Sequence, residues 1–270
     1  MPGLTVAIVG VLLLIGVGVA AWVLVPAFRG REAAMAAVGS HRLVIGSIIT
    51  VLVLSTLALL PFQSELRLGS GMTTRTFLIS AAATEVPMLL VVYVRLVRPG
   101  VLSWRDLGLR GRPADDVLRY GLSAGFLGVV GLEVVGLLLQ QFGLRSNQIE
   151  QFQFVFREGR LSFVAVLLVA AVIAPCVEEL FFRGFVFGTY RRAKPLWVAY
   201  VASSLLFTAL HLLSGSMNLA QMAALSVGIF ILALMLTWLY DHTSSLYPGM
   251  LAHAVNNATG LILFYAAGLR

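Results

Sequence analysis

Charge is what this sequence has least of. Its 19 Lys and Arg and 12 Asp and Glu make up 11% of 270 residues, where a soluble domain carries about 25%. So few polar groups cannot cover a water-facing surface, which excludes a cytosolic enzyme. A nucleic-acid partner is excluded as well, because the net charge of +7 is scattered between apolar runs. Cysteine occurs once, at Cys176, so there is neither an intramolecular disulfide nor a multi-cysteine metal site. Lysine also occurs once, at Lys194. The arginine, alanine and glycine bias is that of a GC-rich, bacterial type of genome.

What is there is apolar: 59% of residues are hydrophobic and the mean hydropathy is +0.94. A spanning helix needs about 20 mainly apolar residues. Eight runs qualify, at 4–28, 43–62, 76–97, 118–142, 161–190, 196–217, 219–240 and 246–268. The first lacks the basic flank of a signal peptide and reads as a retained helix. The expected fold is all-α, a polytopic bundle of about eight spanning helices in an integral membrane setting, bacterial plasma membrane on the composition. Twelve basic residues, among them Arg98, Arg105, Arg110, Arg112, Arg191 and Lys194, fall in one set of loops. Six, including Arg145, Arg157 and Arg160, fall in the other. The positive-inside rule puts the first set in the cytoplasm and both termini outside. The polar stretch from Arg98 to Arg119 reads as a cytoplasmic loop, either a plain connector or one with a short interfacial helix.

In such a chain the informative residues are the polar ones inside the apolar runs. A charge at the centre of a spanning helix costs about 2.5–3.5 kcal/mol, so the Glu178, Glu179 and Arg183 group in the fifth run would cost about 8–10 kcal/mol uncompensated. Glu179 and Arg183 stand at i and i+4 with the acid first, the favourable order for a pair. Glu178 points off that axis, free to face a cavity. His211 closes the sixth run, and His253 with Asn257, four apart on one helix face, occupies the eighth. Asn256 points about 100° away and is a weaker candidate. A carboxylate and two imidazoles from three spans are the ingredients for activating water, as bases or as metal ligands. An amide can donate to an oxyanion. The alternative is a packing cluster between helices. Glu85 and Glu133 sit alone in their spans, where a bundle-facing hydrogen bond is favoured over a substrate path. Cys176 borders the polar group, but a thiol in apolar surroundings is a poor source of thiolate and is not the nucleophile.

The set Glu178-Glu179-x-x-x-Arg183, Phe207-x-x-x-His211 and His253-x-x-x-Asn257, in order on successive hydrophobic helices, resembles the CPBP family. These are the type II CAAX prenyl endopeptidases and their bacterial relatives, described also as Abi or bacteriocin-processing proteins. The resemblance covers about residues 155–268. It implies a catalytic core in the last four spans, residues 155–270, behind N-terminal helices and a loop at 1–154. It implies that Glu178 activates water with His211, that His253 and Asn257 stabilise the oxyanion or hold the water, and that Glu179 and Arg183 support them. A divalent metal such as zinc, ligated by Glu178, His211 and His253, and a metal-independent mechanism both remain open, since the sequence has no HExxH motif. The implied partners are the lipid bilayer and a peptide or protein substrate, membrane-associated or lipidated. A non-catalytic immunity or scaffolding protein and a proton-coupled transporter using Glu178, Glu85 and Glu133 are the competing classes.

Depth poses a difficulty. At 1.5 Å per residue, Glu178 lies about 25 Å from Leu161 and His253 about 10 Å from Leu246, while His211 lies about 22 Å from Leu196, toward the opposite side. Extending the sixth span to about residue 220, with 191–198 at the interface, would bring the three together, and the site would open from the cytoplasmic half.

Overall fold

The computed structural model describes residues 18, 38–63, 65, 71–145, 148–212 and 217–268. Apart from position 18, the first expected span lies outside them. The other seven runs are helices: α1 (His41–Phe62), α2 (Thr74–Val97), α3 (Ala114–Gln141), α5 (Arg160–Ala193), α6 (Leu196–His211), α7 (Leu219–Thr243) and α8 (Tyr247–Gly268), with a short α4 (Phe154–Glu158) before α5. Among the described residues there is no strand, and five helices are long and apolar enough to cross a membrane: α1, α2, α3, α5 and α7. The molecule is a helical membrane bundle, and its helices alternate between two ends. The basic end holds the 98–113 loop and the α5–α6 and α7–α8 turns; the far end holds α4, Arg145 and the end of α8. Trp104, Trp197 and Trp238 are exposed toward the basic end, the placement of an interfacial aromatic belt.

Small residues set the closest packing. Gly121, Gly125 and Gly128 of α3 lie against Leu251, Val255 and Met235, and a Cβ at Gly125 would come within 2.7 Å of Val255. This small-residue stripe lets α3 and α8 run side by side at short range. The α5–α6 pair is joined by a tight turn at Lys194-Pro195, and Pro195 caps the start of α6.

The 98–113 loop forms no interfacial helix. It folds inward beneath the bundle: Leu107 is fully buried, and the Gly184 backbone approaches so closely that a Cβ there would lie 2.6 Å from the Leu107 carbonyl. Four bonds fix the loop to the α7–α8 region. Leu246 N–H donates to the Gly108 carbonyl at 2.9 Å and the Tyr240 hydroxyl to the Leu107 carbonyl at 3.3 Å. Ser245 Oγ donates to the Arg110 carbonyl at 3.0 Å, and Arg112 Nη1 to the Thr243 carbonyl at 2.5 Å. The α7–α8 turn is thereby buried inside the protein, with Ser245 and Leu246 almost inaccessible.

Candidate active site

The helix that carries the acidic pair is irregular for a reason visible in its sequence. Proline has no N–H and its ring crowds the carbonyl four residues back. Before Pro175 the helix widens into a π turn at Val169–Ile173, and Ala174 N–H reaches back to the Val169 carbonyl. In that register the next donor would be Pro175, so the Ala170 carbonyl is left without its helical partner. Asn257 Nδ2 fills the vacancy at 2.8 Å. A second π segment, Leu180–Phe187, follows the two glutamates, and such widened turns recur at functional sites.

The depth conflict disappears without the expected extension of α6, which ends at His211. Helix α5 runs to Ala193, past the expected end of the span. Glu178 and His211 therefore stand equally far from the Lys194-Pro195 turn, about 24 Å along antiparallel helices, and meet at one level. His253 reaches that level from early in α8 because α8 starts deep: a Cβ at Gly249 would be 3.1 Å from Glu179 Oε2.

There Glu178 Oε1 is 3.9 Å from His211 Nε2 and its Oε2 is 3.7 Å from His253 Nε2. These separations exceed a direct hydrogen bond and are those at which a water bridges. Each imidazole is tied by its other nitrogen. His211 Nδ1 lies 2.9 Å from the Phe207 carbonyl, an acceptor, so Nδ1 carries the proton. His253 Nδ1 lies 3.1 Å from Glu179 Oε1, and that carboxylate is also bonded by Arg183 Nη1 at 2.7 Å. In the neutral rings both Nε2 atoms therefore present lone pairs to the carboxylate. Three acceptors facing one small space require a proton donor between them, and a water molecule supplies two protons.

Arg183 is completely buried. Besides Glu179 it donates to the Ala233 carbonyl at 3.2 Å and lies 4.6 Å over the Phe207 ring. Phe207 also lies tilted against His211, with 4.3 Å between ring centres, and packs edge-on against Phe182. One aromatic residue thus supports the arginine, the histidine ring and the proton on that ring. The acidic pair, both histidines and Asn257 are brought together as expected. Asn257 is the amended member: one of its N–H groups is committed to Ala170, leaving the other for the cavity. Cys176 points outward, off the site.

A cavity of about 570 Å³ starts at His211, His253, Asn256 and Asn257 and follows α3 through Glu133 and Gln140 to Arg145. It leads toward the far end, opposite to the opening expected from the sequence, because the inward-folded loop occupies the basic end. Asn256 lines it beside Asn257. Glu85 of α2, which packs against the Ala174–Glu179 turn, lies within electrostatic reach of Glu178. Among the described residues its buried Oε2 has no hydrogen-bond partner, so the expected bundle-facing bond to that oxygen is not formed. Among the described residues no group of three His, Cys, Asp or Glu side chains is disposed to hold a metal ion. Glu178, His211 and His253 as placed do not form such a site.

Residues 160–259 match the family model for type II CAAX prenyl endopeptidase Rce1-like proteins. The chain carries an Rce1-like domain. Every residue of the polar site lies inside the matched segment, whereas the α3 wall of the cavity lies outside the Rce1-like domain. Uncharacterized protein YyaK of Bacillus subtilis is 26% identical over 144 residues, 52% of this chain and 45% of that protein. UPF0177 protein YxdF of Lactococcus lactis subsp. lactis is 26% identical over 102 residues, 38% of this chain and 51% of that protein. The chain spans about half the length of these curated relatives. No solved structure matches it.

Proposed function

We propose that the protein is a membrane-embedded endopeptidase, bacterial and resident in the plasma membrane, that hydrolyses a peptide bond with water activated by Glu178. The observation that carries this reading is the convergence of two imidazole lone pairs on one carboxylate, each ring fixed by its outer nitrogen. Residues 155–270 supply the chemistry and 1–154 the flanking helices. A water donating one hydrogen to Glu178 and one to His211 presents its own lone pair to a substrate carbonyl. Glu178 takes the proton as the oxygen adds to the carbonyl carbon. The free N–H of Asn257, together with Asn256, donates to the oxyanion. Glu178 then gives its proton to the leaving nitrogen, the C–N bond breaks, the hydroxyl proton of the new carboxyl group passes to His211 Nε2, to which it is hydrogen-bonded, and an amine and a carboxylate leave. The substrate class is a membrane-associated peptide, lipidated or not.

The test is Glu178→Gln, which keeps shape and removes the base. Membrane fractions of cells with this variant should lose a set of new peptide C-termini that wild-type cells produce, while the purified variant keeps its melting temperature. Unchanged C-termini in cells expressing Glu178→Gln would refute the assignment.

A further inference from the structure

The polar site occupies only one end of the cavity; its remaining length has its own chemistry. The walls beyond the site are apolar, formed by Leu132, Leu225, Ile229 and Leu232. Outside the site two ionisable side chains line it, Glu133 and Arg145. Arg145 follows the end of α3, whereas Glu133 is eight residues inside α3, about 12 Å from its end. Among the described residues Glu133 makes no hydrogen bond and no ion pair. Its side chain is exposed and lines the cavity, and an unpartnered acid this far along a spanning helix marks a ligand or a path.

Its distance from the reaction can be read from the packing of α3 on α8. A Cβ at Gly128 would lie 3.8 Å from Asn256 Oδ1, which sets Gly128 level with the site. Glu133 is five residues further, about 7.5 Å along the axis. That is about two residues of an extended peptide at 3.3 Å each.

We propose that Glu133 is a specificity-determining residue: it receives the Lys or Arg side chain of a peptide substrate, two to three residues from the bond that is cut. This rests on the endopeptidase reading above. A basic side chain suits the place on two counts. Its methylene stem packs along Leu132, Leu225 and Ile229 while its charged head reaches the carboxylate. The resulting charge-assisted bond forms beside apolar walls, where it is stronger than in water. Arg145 lies beyond the end of α3, and among the described residues no ion pair joins it to Glu133. A peptide lacking the basic group leaves the acid unpaired against apolar contacts, which makes the pocket selective and not merely adhesive.

The experiment presents purified full-length protein with a degenerate peptide mixture and sequences the products by mass spectrometry. Wild type should show enrichment of Lys or Arg at one position two or three residues from the cut. Glu133→Gln should lose it, with kcat/KM falling about 10²-fold for a lysine-containing peptide and less than threefold for its leucine counterpart. Glu133→Lys should shift the preference to Asp or Glu. Cleavage without a basic preference, or a preference that survives Glu133→Gln, overturns the proposal. If wild type cuts nothing, the endopeptidase reading fails, and binding decides the present one. In that case Glu178→Gln protein should bind the lysine-containing peptide at least tenfold more tightly than the leucine peptide, and Glu178→Gln/Glu133→Gln protein equally; equal binding by the first variant overturns it.

Discussion

Glu179 joins two functions that can be separated by substitution. Its Oε1 accepts from Arg183 at 2.7 Å and faces His253 Nδ1 at 3.1 Å, so it neutralises a buried cation and fixes the proton of an imidazole. Glu179→Ala leaves Arg183 buried with only the Ala233 carbonyl and the Phe207 face. Breaking one side of a buried pair costs about 3–5 kcal/mol. At about 2–4 °C per kcal/mol for a chain of this size class, the apparent Tm should fall by on the order of 10 °C. Removing both charges with Glu179→Met/Arg183→Met eliminates the orphan cation, and such replacements are often neutral or stabilising, so most of that loss should return. Activity should not return, because His253 still lacks the acceptor for its Nδ1 proton. Loss of such an orienting partner lowers turnover about 10²–10⁴-fold. Thermal unfolding in detergent and cleavage of one reporter peptide measure the two quantities on the same samples. The reasoning is refuted if Glu179→Ala melts within about 2 °C of wild type, or if the double variant recovers to within tenfold of wild-type activity.

Three further outcomes follow. Gly184→Ala places a methyl group 2.6 Å from the Leu107 carbonyl; overpacking of this kind costs about 1–3 kcal/mol, and faster maleimide labelling of Leu107→Cys should accompany the lower Tm. In a Cys176→Ser background, Gln140→Cys should react with an impermeant maleimide from the same side of the membrane as Arg145→Cys and from the side opposite to Arg110→Cys. Labelling of the cavity position from the Arg110 side would contradict the closed basic end. Hydrogen bonds from the Thr74 hydroxyl and N–H hold the Glu158 carboxyl below its ordinary value of 4.5. That contribution is present above the unfolded value and lost as pH falls through the lower folded one. The Tm gap between wild type and Glu158→Gln should therefore be open at pH 7 and close as the pH falls well below 4.5; a gap independent of pH would count against it.

The hydropathy runs contained the bundle, because lipid-facing helices must be apolar over their whole length and the signal is additive. The polar site was legible too, since an ionisable group inside such a run stands out, and i, i+4 spacing already paired Glu179 with Arg183 and His253 with Asn257. Depth was not legible. Placing Glu178 required knowing that α5 continues past the hydrophobic boundary to Ala193, and hydropathy averages over ends. The bond from Asn257 to Ala170 was equally hidden, although its cause, Pro175, was in plain view: a missing N–H predicts an unpaired carbonyl but not which side chain will find it. The inward fold of residues 98–113 had the weakest signal, because a polar loop that caps a protein and one that lies on a membrane have the same composition. Glu133 needed the cavity before it acquired a meaning different from that of Glu85.

The buried 98–113 loop has a consequence for the cell and not only for the reaction. A hydrolase inside a membrane must admit water to the middle of an insulating layer, and a continuous wet path would short-circuit the ion gradients across it. Among the described residues the plug formed around Leu107 fills the basic end, and the cavity runs from the polar site along α3 toward the far end. Hydrolysis of the proposed kind would then draw its water from the far end while the packed basic end keeps that side dry.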